Sequence, residues 1–133
     1  MTTLVLKDVC KLKKACIHVY TGENWKYLKT VLGMALRACG AGFSVGFFNF
    51  GSDVSDIVEF ANRLQGMHVL KNIEQDTSQF DMLILYDCEN NQADLRSFLA
   101  SKPQNTEIVL CGAVFSDDIL AAADLVSEIT AFS

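Results

Sequence analysis

Between positions 21 and 30 the chain reads Thr21, Gly22, Glu23, Asn24, Trp25, Lys26, Tyr27, Leu28, Lys29, Thr30, just after an apolar run and just before a helical pattern. A strand that turns through Thr-Gly into a helix is where phosphate-binding loops occur. There, successive backbone N–H groups and a helix start converge on an anion, a lysine adds charge, and a Ser or Thr hydroxyl holds magnesium. Such a loop needs glycines, because it adopts positive φ and leaves no space for side chains. Lys29-Thr30 is the Lys-Thr pair here, yet Leu28 and Glu23 stand where both glycines would be. By pattern alone this is not a nucleotide loop. Its candidate ligand contacts are Thr21, Gly22, Glu23, Asn24, Lys26, Lys29 and Thr30, with Lys26 and Lys29 three apart and so facing roughly the same way. Glu23 before the helix start takes a place favoured by the helix dipole, and Asn24 is a candidate N-cap.

A second group of candidates sits at other predicted strand ends. Asp87 follows "MLILY" and is the residue expected to help hold magnesium if any is bound. Cys88 and Cys111 also fall at strand ends, with Gly112 beside the latter. A thiol pair there would bind metal or sense oxidation, against the simpler reading that both are packed in the core. The five cysteines are odd in number, widely spaced and form no CxxC pair, which favours a reducing compartment and core packing. His18 and His68 have no ligand-spaced partner and read as structural.

The elements that must position these residues alternate along the chain. Strands are expected at 15–20, 43–50, 67–71, 82–86, 107–111 and 125–130, several of them apolar on both faces as in a covered parallel sheet. Helices are expected at 25–39, with Leu28, Leu32, Ala35 and Cys39 inward, and at 53–65, with Val54, Ile57, Ala61 and Leu64 inward. Shorter ones follow at 91–101 and 116–124, the last with Ser116 as its N-cap. This pattern is that of an α/β three-layer sandwich with a mostly parallel sheet. In such sheets ligands bind beyond the carboxyl ends of the strands, here Thr21 to Lys26, Gly51 to Asp53, Asp87 to Asn91 and Gly112 to Phe115. The phenylalanines at 43, 47, 48 and 50 are most simply core.

At 133 residues, half hydrophobic and with one proline, the chain reads as a single globular domain over 1–133. No stretch approaches the roughly 20 apolar residues of a membrane span, and the N-terminus lacks signal-peptide order, so a cytoplasmic protein without a membrane partner is expected. Net charge is −5, split between +5 over residues 1–40 and −10 over the rest. The acidic majority disfavours nucleic acid. The basic front suits an anionic ligand or the acidic part of a neighbouring subunit.

The stretch "YTGENWKYLKTVLGMALRACGAGFSVGFFNF" resembles the opening of the P-loop type of ATP:corrinoid adenosyltransferases. Those begin with a strand, then T-G-N-G-K-G-K-T-T, then a helix bearing G-x-A-x-R-A-x-G-x-G. Thr21 and Gly22 match the start of that loop. Gly33, Ala35, Arg37, Ala38, Gly40 and Gly42 match the helix and its exit, and Val45, Gly46 and Phe50 the next strand. "FDMLILYD", "KPQNTEIVLCG" and "ADLVSEI" resemble the later strands in order. The resemblance implies a P-loop NTPase-like (RecA-like) topology, ATP with magnesium and a corrinoid as ligands, and a homodimer. The stations of catalysis depart from it. Asn24 and Lys26 replace loop glycines, Tyr27 the phosphate-binding lysine and Leu28 the magnesium-holding hydroxyl. The Asp-Glu strand end becomes Tyr86-Asp87 or Asp87-Cys88, and Ala113 stands where an arginine is expected. The expectation is a degenerate, non-catalytic relative kept for binding a corrinoid, a nucleotide or a protein. The alternatives are an active adenosyltransferase, in which Lys26 or Lys29 contacts phosphate and reduced cobalt attacks the 5' carbon of ATP, and a purely structural homo-oligomeric subunit.

Overall fold

A computed structural model describes residues 16–22, 24–51, 55–73 and 77–129. Six strands form one all-parallel sheet: β1 Ile17–Gly22, β2 Val45–Asn49, β3 Met67–Val69, β4 Met82–Tyr86, β5 Glu107–Gly112 and β6 Leu125–Ile129, in the spatial order β3-β2-β4-β5-β1-β6. Four helices connect them: α1 Asn24–Gly40, α2 Ser55–Asn62, α3 Gln92–Ala100 and α4 Asp117–Ala122.

Alternation along the strands builds two cores. Tyr20, Val45, Phe47, Ile84, Tyr86, Val109 and Cys111 point to one face, where Val31 and Ala35 of α1 and Ile57 and Ala61 of α2 cover them. The intervening residues Ile17, Val19, Leu83, Leu85, Ile108 and Leu110 point to the other face and meet Leu95 of α3 and Ile119 of α4. The sheet is therefore covered on both sides, which explains why its strands are apolar on both faces. The α/β three-layer sandwich expected from the sequence is the architecture found.

Differences are local. β3 covers only Met67–Val69, although the Leu70 N–H still reaches Phe47 O and its side chain alternates into the second core. α2 ends at Asn62, short of the expected end at residue 65. Val54 lies outside the described residues. Ser116 occupies the N-cap position of α4 with extended backbone, but its hydroxyl donates to the Asp118 carboxylate instead of receiving a helix N–H. Phe43, expected in the core, is 53% exposed beyond the end of α1, whereas Phe47 is fully buried and Phe48 and Phe50 stack edge to face at 5.0 Å on the second core.

Candidate functional site

Three strands lie side by side in the order β4-β5-β1, and their carboxyl ends meet at one edge of the sheet. The register pairs Thr21 with Gly112, so the Thr-Gly turn predicted from sequence stands directly beside the predicted glycine of β5. Beyond β5 the Thr21 hydroxyl donates to the Ala113 carbonyl at 2.9 Å.

At the end of β4 the backbone makes a sharp exit. Asp87 adopts the left-handed conformation, φ 56°, the one positive-φ residue other than glycine among the described residues. That conformation costs an ordinary L-residue roughly 1–2 kcal/mol. It turns the chain into a 3₁₀ turn, Cys88–Asn90, and lays Glu89 across the end of β5. The Glu89 Oε1 atom accepts the Ala113 N–H at 3.1 Å and sits only 2.7 Å from where a side chain at Gly112 would begin. A side chain at Gly112 would displace that carboxylate from its place over the strand end. The same position lies 3.1 Å from Phe115 Cζ and 3.4 Å from Cys88 Cβ. Gln92 straps the loop from below, donating to Val114 O at 3.3 Å and accepting from Ser116 N at 2.9 Å.

The thiols are buried on opposite sides. Cys88 packs in the second core and donates to Leu85 O at 3.2 Å, while Cys111 packs in the first. Both are free cysteines, and burial pushes both thiols well above their usual range. The nearby Asp87 and Glu89 charges add to that rise at each, and a thiolate is disfavoured. Core packing is the role the geometry gives them. Tyr86 is likewise raised, by burial first and then by Asp87, Cys111 and Glu89. The field at this edge is negative.

Of the predicted loop contacts, Thr21 and Gly22 close β1, and Glu23 lies outside the described residues. Asn24 and Lys26 belong to the first turns of α1, of which only the backbone is described. Lys29 is exposed and Thr30 half-buried on the next turn. Thr21, Cys88 and Gly112 are therefore brought together, with Cys111 behind them. Among the described residues no group of three or more His, Cys, Asp or Glu side chains could hold a metal ion. His18 lies 8% exposed at the start of β1, with its pKa lowered by burial against the opposing pull of Glu107 and Asp124. His68 is exposed on β3 with its ring 5.8 Å from Phe80.

Sequence reasoning did not single out Glu89. It lies within the stretch marked as ligand edge, but its role depends on the turn at Asp87, which the residue types alone do not announce. The signal that points to it is Gly112, a glycine at the end of a buried strand, which implies that something approaches its backbone closely. No helix among the described residues is long and apolar enough to cross a membrane. No protein-family model matches the chain, and no curated protein matches it in sequence.

Proposed function

We propose that this domain keeps the frame of the P-loop corrinoid adenosyltransferases without their catalysis, and acts as a non-catalytic binding domain for a ligand or a protein partner. One observation carries the reading. The Glu89 carboxylate occupies the exit of β5, where it takes the Ala113 N–H and closes over Gly112, while Ala113 O is taken by Thr21. A triphosphate arriving there would meet a carboxylate and polar groups already satisfied within the chain. Like charges at close range cost several kcal/mol when little water separates them. The loop substitutions at Asn24, Lys26, Tyr27 and Leu28 point the same way, since they remove the glycines and the hydroxyl such a ligand needs.

The test is incubation with ATP, magnesium and cob(I)alamin, following heat by calorimetry and the cobalt spectrum by absorbance. The expected result is no adenosylcobalamin and no micromolar ATP binding. Turnover to adenosylcobalamin, or micromolar ATP affinity, would overturn the reading.

A further inference from the structure

The opposite edge of the sheet is open. Beneath the last turns of α1, on the face that α1 covers, lies a cleft of about 650 Å³, within the ordinary range of small-molecule sites. Its floor is a row across four neighbouring strands, taking the first residues of each that face α1: Met82 of β4, Glu107 of β5, His18 of β1 and Leu125 of β6. The roof is Met34 and Arg37 of α1, with Phe43 at the mouth. The cleft exists because α1 stops at Gly40 while the strand starts continue beneath it.

Two unlike charges line this cleft from its two walls. The Arg37 guanidinium makes no hydrogen bond or ion pair with any described residue, and neither does the Glu107 carboxylate; the two do not pair with each other. Asp81, also at the rim, is already engaged, accepting from the Ser44 N–H at 2.9 Å and hydroxyl at 3.2 Å. His18, its pKa lowered by burial, adds no positive charge to the floor at neutral pH. Besides the polar His18 and Asn105, the rest of the lining is apolar, with Met34, Ala38, Met82 and Leu125, and Phe43 leaves 53% of its surface to solvent at the entrance.

We propose that this cleft binds a small zwitterionic organic molecule, with its anionic group on Arg37, its ammonium on Glu107 and its apolar body against Met34, Phe43 and Leu125. The Arg37 fork suits a carboxylate, which it can meet with two parallel N–H donors. Glu107 accepts from an ammonium. A ligand carrying only one charge leaves the other wall unmatched, so the pair of charges selects for both together. The site is separate from the carboxyl edge and stands whether or not that edge is closed.

L-phenylalanine is the probe, compared by calorimetry with phenethylamine, which lacks the carboxylate, and 3-phenylpropionate, which lacks the ammonium. The expected result is a Kd on the order of 1 mM for phenylalanine, with about tenfold weaker binding of each analogue. Arg37→Gln is expected to weaken phenylalanine about tenfold and leave phenethylamine unchanged, and Glu107→Gln to weaken phenylalanine by a similar factor and leave 3-phenylpropionate unchanged. Backbone amide shifts of His18, Met82 and Leu125 on titration place the ligand, and matching melting temperatures show that both variants fold. Absence of phenylalanine binding at millimolar concentration, equal binding of either analogue, or indifference to both substitutions overturns the proposal.

Discussion

Replacing Tyr20 by phenylalanine should make the protein more stable. Tyr20 lies at the centre of β1, is fully buried beneath α1, and its hydroxyl is a buried oxygen without a hydrogen-bond partner. A buried polar group left unsatisfied costs roughly 1–3 kcal/mol, and removing it while keeping the ring recovers that cost without opening a cavity. For a domain of this length, that gain corresponds to a rise of roughly 4–10 °C in melting temperature. Differential scanning calorimetry of the two proteins at pH 7 reads it directly. Alkaline titration supplies an independent check. Burial, with a smaller contribution from Cys111 and against Arg37, raises the Tyr20 pKa from 10.0 to about 12. Its folded pKa exceeds its unfolded one, so the wild type loses stability as pH rises from 10 towards 12, where only the unfolded phenol ionises. The Tyr20→Phe variant lacks that loss, and its advantage should widen over the same interval. A variant that melts about 4 °C or more below wild type would refute the reasoning, since it would mean that the hydroxyl is held by an internal water worth more than its desolvation.

Two further outcomes follow from packing and charge. Gly46→Ala should destabilise by roughly 1–3 kcal/mol, measured by urea unfolding, because overpacking is costly in a filled core; the added methyl would lie 2.9 Å from Phe80 Cδ2 and 3.0 Å from Leu83 Cδ1. His18 has its folded pKa lowered by burial, so the unfolded chain binds its proton first on acidification and stability falls as pH drops below 6.5. His18→Gln should flatten that fall between pH 7 and 5, read as the change in melting temperature across the interval.

Much of the architecture could be read from residue types because local chemistry dictates it. "MLILY" is a run of large and branched apolar residues bounded by Asp81 and Asp87, and it forms β4 at Met82–Tyr86 as expected. The inward spacing of Ala35 on α1, and of Ile57 and Ala61 on α2, is likewise set by helical period alone. What the sequence hid is set by distance along the chain. The amino-edge cleft takes its floor from residues 18, 82, 107 and 125, no two of them near in sequence. Glu89 meets Gly112 because a single residue, Asp87, takes the left-handed conformation, which Asp tolerates but does not dictate. Phe43 misled for a simpler reason: it falls in an apolar alternation, but precedes the first residue of β2 by two positions and lies past the rim of the layer.

The strand order also governs how this chain can be assembled. β1 is flanked by β5 and β6, with Ile17 opposite Ile108 and His18 opposite Leu125, so the first strand of the sheet has no neighbour until β5 is made and keeps one bare edge until β6. Contacts of such long span slow the search for the native state. On the ribosome, an emerging chain that has passed β4 still carries β1 with both edges bare. Cotranslational completion of the sheet is therefore impossible until β5 and β6 have left the exit tunnel, and any truncation ahead of β5 yields a product whose opening strand is exposed to aggregation.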